Sequence, residues 1–178
     1  MFAAFTLLGL ALVIAYAPPS QSSTPSTTLL SSTDRAPDVT LTLNNRGNSA
    51  WRVTVVDGIK DRDIEDTVAL NETNAEITLV VGTRYRIINK GGQGFHPFEF
   101  TDQNAVENDD EELVDFEEDV VLLSQKPGVQ GSFEADPAVA WVEDARGVTF
   151  TLTPELALSL KGYRCGNHTE NMRGDIEL

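Results

Sequence analysis

The chain contains few residues that bind metals through sulfur or nitrogen. Its 178 residues include one cysteine, two histidines and two methionines, one of which is the initiator. A single cysteine excludes an internal disulfide and a zinc site built from four cysteines. Two histidines are too few for the several copper centres of a multicopper oxidase or a copper nitrite reductase. Any metal chemistry must therefore use a small set of ligands.

Basic residues are also scarce. Thirteen Lys and Arg stand against 28 Asp and Glu, which gives a formal net charge of -15 at pH 7 and a sequence pI near 4.3. Such a surface repels phosphate backbones, so we expect no nucleic-acid partner. The hydrophobic fraction of 40% is ordinary for a globular protein, and the length suits one domain with a hydrophobic core.

The first 37 residues differ in composition from the rest. Residues 1–17 are almost entirely apolar and predict either a cleaved signal peptide or an uncleaved membrane anchor. Residues 18–37 are dominated by Ser, Thr and Pro, which predicts a flexible linker. We therefore expect an exported protein, tethered to the membrane if the apolar segment is retained, whose folded domain spans residues 38–178.

From residue 38 onward, apolar and polar residues alternate in short runs separated by turn residues, which is typical of β-strands. A short helix is predicted after Thr153, a suitable N-cap, with Pro154 at its first position. The pattern predicts an all-β antiparallel sandwich with one short helix. The predicted strands begin at Val39, Trp51, Glu76, Arg84, Phe95, Val120, Val139, Gly147, Gly162 and Arg173.

A dense run of carboxylates, residues 103–119, interrupts the strands. The simpler interpretation is a solvated loop, because like charges repel each other and stay extended in water. The alternative is a divalent-cation site, although the run lacks the spaced Asp and Gly residues of a calcium loop. The acidity also resembles adaptation to high salt.

The scarce metal-binding residues are concentrated at the C-terminal end. Cys165, His168 and Met172 lie within eight positions, between the strand-like sequence GYRC and the final strand RGDIEL. The other histidine, His96, lies in a predicted strand that can pass beside this loop in a sandwich. A thiolate, two imidazoles and a weak thioether are the ligands of a blue-copper electron-transfer centre. The four residues therefore predict a site for one copper ion.

Each of these residues also has a simpler explanation. Lone histidines on strands and a buried methionine are usually packing or surface groups, and a single cysteine can be an inert small hydrophobe. A nucleophilic Cys–His pair is a further alternative, because a nearby imidazolium lowers the pKa of a thiol. No other motif suggests an enzyme, so we expect a non-catalytic protein.

With these residues in place, the chain resembles the cupredoxin family of small blue-copper proteins, of the plastocyanin, pseudoazurin and halocyanin-like type. The resemblance covers the whole domain and is most specific at FHPFEF, from Phe95, and at YRCGNHTENMRG, from Tyr163. It implies an eight-stranded Greek-key sandwich, one-electron transfer, and a single type 1 copper held by the ligands His96, Cys165, His168 and Met172.

The sequence departs from that family at two places. Three residues separate His168 from Met172, whereas the related loops have four or two, so the axial role of Met172 is the least secure part of the resemblance. Pro97 follows His96 where the family commonly has Asn, and proline has no N–H to donate to the cysteine sulfur.

Together, these features predict a mononuclear blue-copper protein that carries single electrons between redox partner proteins outside the cytoplasm. Two alternatives use the same residues. One is an extracytoplasmic module that binds and delivers copper, and the other is a structural surface domain with a vestigial copper site.

Overall fold

A computed structural model describes residues 32–58, 66–105 and 119–178. Two β-sheets and one short helix account for its regular structure, so the predicted all-β sandwich with a single short helix is confirmed. The elements are the 3₁₀ turn Ser32–Asp34, β1 Val39–Arg46, β2 Ala50–Asp57, β3 Ile77–Thr78, β4 Arg84–Asn89, β5 Phe98–Thr101, β6 Val121–Ser124, β7 Val142–Asp144, β8 Gly147–Thr151, α1 Pro154–Ser159, β9 Gly162–Cys165 and β10 Arg173–Glu177.

Each sheet contains five strands. The first has the order β2-β1-β4-β8-β7 and the second the order β3-β10-β9-β5-β6. The resemblance implied eight strands. The described part of the chain has ten, because the short strands β3 and β7 extend one edge of each sheet. The sandwich is also not purely antiparallel, since β1 pairs in parallel with β4, and β3 with β10.

Several predicted strands are shorter than their apolar runs. The strand predicted from Phe95 begins only at Phe98, because the His96 N–H donates to the Gly92 carbonyl in a turn. The run from Val139 also begins as a turn, in which the Val139 N–H donates to the Asp136 carbonyl. These amides are hydrogen-bonded within turns, so they are not available to pair with a neighbouring strand. An apolar run alone does not indicate such a turn.

The helix follows its sequence signals. The Thr153 hydroxyl accepts a hydrogen bond from the Leu156 N–H at 3.1 Å, and Pro154 occupies the first turn, where a missing N–H costs nothing. Leu156 is fully buried, whereas Leu158 is 85% exposed. The predicted cap and start of the helix are therefore confirmed.

Aromatic side chains join the two sheets in the core. Phe100 of β5 packs edge-to-face on Phe150 of β8, with ring centroids 4.9 Å apart, and also contacts Phe98 at 4.8 Å. Tyr163 of β9 stacks on Phe98, and its hydroxyl donates to the Ala75 carbonyl at 2.6 Å. This cluster fixes β5 and β9 against the first sheet.

The last residues of the predicted linker contact the domain. The buried guanidinium of Arg84 donates to the carbonyls of Thr33 and Arg35, and Arg35 forms an ion pair with Asp38. The proposed boundary at residue 38 remains a prediction. Residues 1–31, which include the predicted signal or anchor, lie outside the described part of the chain. Within the described ranges, no helix has the length and apolar character needed to cross a membrane.

We expect Phe100→Ala to lower the free energy of unfolding by about 3–5 kcal/mol, because it leaves a cavity at the junction of the two sheets. Leu158→Ala is the matched control and should change the stability by less than about 0.5 kcal/mol, since that side chain faces solvent. Denaturant unfolding of both variants measures the difference. Equal effects would show that Phe100 does not join the sheets.

Candidate metal centre

Strand pairing brings the two distant parts of the site together. In the antiparallel pairing of β5 with β9, Phe98 lies opposite Cys165, so His96, two residues before Phe98, lies beside the end of β9. The Sγ atom of Cys165 is 3.7 Å from Nδ1 of His96 and 3.4 Å from Nδ1 of His168. All three donor atoms lie within 4.8 Å of one another. Three of the four predicted ligands therefore form one cluster.

The loop from Cys165 to Met172 is closed by its own backbone. The His168 N–H donates to the Cys165 carbonyl, the Met172 N–H donates to the His168 carbonyl, and the Cys165 N–H donates to the Met172 carbonyl at 2.8 Å. Met172 is fully buried in the hydrophobic core. Its side chain thus belongs to the interior, while its role as an axial ligand remains a prediction.

The cluster is largely shielded from solvent. Cys165 is fully buried, His96 is 6% exposed and His168 is partly exposed. Next to His96, the side chain of Phe95 is 79% exposed, and its carbonyl accepts a hydrogen bond from the Asn167 amide at 3.1 Å. The Cys165 thiol therefore lies deepest in the site, and His168 lies toward the surface.

Burial shifts the pKa values of Cys165 and His96. It raises the pKa of the Cys165 thiol, which the backbone N–H groups of Asn167 and His168 partly offset by donating to the sulfur. Burial also lowers the pKa of His96, and the charge of His168 adds to this effect. A neutral imidazole is the form that binds metals, whereas an incoming metal ion must displace the thiol proton.

Pro97 lies beside the cluster, as the resemblance implied for this position. It donates nothing, but its carbonyl accepts the Gly166 N–H at 2.8 Å. Within the loop itself, the backbone N–H groups of Asn167 and His168 act to lower the pKa of the Cys165 thiol.

Amide side chains hold His96 in place. Asn89 donates to the His96 carbonyl at 2.6 Å and to the Gln125 side-chain oxygen at 2.7 Å, and it accepts from the Gly92 N–H. Asn45 Nδ2 lies 3.3 Å from His96 Nε2, which leaves Nδ1 directed at the cysteine. Sequence analysis missed these contacts, because a lone Asn or Gln in a strand pattern gives no signal of its partner.

A second support connects the loop to the first sheet. The Asn74 side-chain oxygen accepts from the Trp51 N–H at 2.9 Å, and its Nδ2 donates to the Asn171 carbonyl at 2.8 Å. The Trp51 ring meets the His96 ring edge-to-face, with centroids 6.0 Å apart. His96 and the loop are thus both connected to Trp51 of β2, His96 by ring contact and the loop through Asn74.

The acidic run 103–119 ends in the protein interior. The side chain of its last residue, Asp119, is fully buried and forms ion pairs with Arg164 and Arg173. A solvated loop therefore does not describe that residue. Residues 106–118, where both the solvated-loop and the cation-site interpretations mainly fall, lie outside the described part of the chain.

Chemically, the cluster offers one sulfur and two imidazole nitrogens, a set that could hold a single metal ion. Comparison of the chain with protein-family models, with curated proteins and with solved structures gives no match. The geometry of the site is therefore the evidence for its chemistry.

We expect Asn89→Ala to weaken metal binding about 10- to 100-fold, because the carbonyl that fixes His96 loses its donor. Asn48→Ala removes an exposed asparagine from the turn between β1 and β2 and should leave the affinity unchanged. Competition with a chromophoric chelator measures both variants. If Asn89→Ala bound metal as tightly as Asn48→Ala, the amide contacts would not support the site.

Proposed function

We propose that the chain is a mononuclear copper protein that carries single electrons. The observation that supports this most is the assembly of one buried sulfur and two imidazole nitrogens within 4.8 Å, by residues 69 positions apart in the chain. Histidines and a cysteine that served only in packing would not be expected to place their donor atoms this close together.

The donor set favours copper over other metals. Sulfur stabilises Cu(I), and imidazole suits both Cu(I) and Cu(II), so this set can hold the ion in either oxidation state. Structural zinc normally takes four strong ligands, and within the described residues the cluster offers three. Calcium and magnesium prefer oxygen ligands. Met172 would supply the weak thioether that completes a type 1 centre.

Electron transfer is favoured over copper delivery by the way the ligands are held. His96 is fixed by Asn89, and the loop by its own backbone bonds and by Asn74, so the donors have little freedom to rearrange. A rigid ligand set requires little movement when copper changes its oxidation state. A delivery protein would need ligands that release copper readily. The burial of the Cys165 thiol opposes such release.

The site does not suit nucleophilic catalysis. A cysteine nucleophile needs a lowered pKa, whereas burial raises the pKa of the Cys165 thiol. We therefore propose a carrier that is not an enzyme.

The proposal extends to the setting of the protein. The apolar segment Phe2–Ala17 and the Ser, Thr and Pro linker support export and attachment to the outer face of a membrane. The electrons would then pass between redox partner proteins outside the cytoplasm.

We expect titration of the purified protein with Cu(II) to produce one intense thiolate-to-copper absorption band that saturates at one copper per chain. Cys165→Ser should abolish the band, because the transition originates on the sulfur. A band that survives this substitution would refute the copper assignment, and a colourless wild-type protein would favour a vestigial site. Fast reversible voltammetry supports a carrier, whereas rapid loss of copper to a chelator supports delivery.

Met172→Leu should keep the band and raise the reduction potential, because losing a weak donor disfavours Cu(II) more than Cu(I). Leucine has a similar volume, so the core should remain packed. Voltammetry of the copper-loaded variant gives the shift. An unchanged potential would mean that the three-residue spacing keeps this sulfur away from the metal.

A further inference from the structure

Two buried arginines face each other where the ligand loop leaves the sheet. Arg164 immediately precedes Cys165, Arg173 immediately follows Met172, and the two are direct partners in the β9–β10 ladder. Like charges placed directly opposite each other destabilise a strand pair, and burial strengthens the repulsion. We call this arginine pair the neck of the ligand loop. The two guanidinium charges repel each other and so act to separate β9 from β10.

One carboxylate oxygen lies between these charges. Oδ2 of Asp119 is 2.8 Å from Nη1 of Arg164 and 3.0 Å from Nη1 of Arg173. The Asp119 side chain is fully buried. Glu99 of β5 binds the other side of Arg164, with its Oε2 3.0 Å from Nε. Among the contacts described, Asp119 is the carboxylate that contacts both arginines.

The neck lies on the opposite face of the sheet from the thiol, because side chains alternate along a strand. Asp119 can therefore act on the site through the backbone of β9 and β10, and through Arg173, whose Nη1 donates to the Thr169 carbonyl of the ligand loop at 3.4 Å. The bond it protects is the hydrogen bond from the Cys165 N–H to the Met172 carbonyl, which directly continues the Arg164–Arg173 pair toward the loop.

We propose that Asp119 is a positioning residue, a clasp that holds the neck closed so that the donor atoms stay together before metal arrives. Its effect on the backbone does not depend on which metal binds. Its consequence for copper rests on the proposed function. Without Asp119, the repulsion between Arg164 and Arg173 opens the loop at its base.

The first experiment measures opening of the neck in metal-free protein by amide hydrogen exchange. In Asp119→Asn, the Cys165 amide should exchange about tenfold faster or more, because the carboxylate that lies between the two buried guanidiniums has lost its charge. The Leu152 amide, which donates to the Thr83 carbonyl just beyond the ends of β8 and β4, is the reference and should change much less. Asp144→Asn weakens an exposed pair with Arg86 and should alter neither amide.

Unchanged exchange at Cys165 in Asp119→Asn would overturn the clasp. Equal acceleration at Cys165 and Leu152 would also overturn it, because that result indicates a general loss of stability.

A compensating variant distinguishes repulsion from simple loss of packing. Asp119→Asn combined with Arg173→Gln keeps the ion pair of Glu99 with Arg164 and removes the charge that faces Arg164 across the ladder. Its Cys165 amide should exchange within about threefold of the wild-type rate, since the repulsion between the two guanidiniums is gone. A double variant that exchanges as fast as the single one, or that fails to fold, overturns the proposal. If the single variant does not fold, recovery of the fold in the double variant is the supporting result.

The consequence for copper is measured separately. Copper-loaded Asp119→Asn should lose its metal to a chelator about tenfold faster than wild type and Asp144→Asn, and its absorption band should shift. If the wild type shows no copper band while hydrogen exchange behaves as expected, the proposed function fails and the clasp stands. If the wild type binds copper and Asp119→Asn releases it at the same rate with the same band, the positioning role fails.

Discussion

The site depends on the register between β5 and β9. Phe98 lies opposite Cys165, and this pairing places His96 beside a sulfur that is 69 residues away in the chain. A shift of one residue would turn the cysteine to the other face of the sheet and separate the donors. Aromatic packing of Phe98, Phe100 and Tyr163 against the first sheet makes such a shift costly, so the core determines where the donor side chains of the candidate site lie.

The sequence predicts those parts of the fold that depend on local patterns. Alternating apolar residues predict most strands, and the cap at Thr153 predicts the helix. The local group of Cys165 and His168 could be found directly, whereas placing His96 beside it required the assumption of a sandwich, which the structure confirms. The late start of β5 could not be predicted, since the turn before it depends on a bond from His96 to Gly92.

Long-range polar contacts lie beyond the reach of sequence patterns. Asn89 and Gln125 are buried beside His96, and Asp119 pairs with arginines far along the chain. In the sequence, Asp119 is only the last of many acidic residues, and its buried position depends on where the strands bring Arg164 and Arg173. A net charge of -15 likewise describes the whole chain, while the interior behind the ligand loop contains arginines paired with carboxylates.

The two ends of β4 have different neighbours. At its first residue, Arg84 binds the carbonyls of Thr33 and Arg35, where the chain enters the domain, and at its last residue Asn89 holds His96. Five residue steps along a strand span about 17 Å. The entry point and the candidate metal centre therefore lie toward opposite ends of the sandwich. If residues 1–17 anchor the chain in a membrane, the tether would reach the domain at the end away from the His96, Cys165 and His168 cluster and would leave that cluster open to approaching proteins.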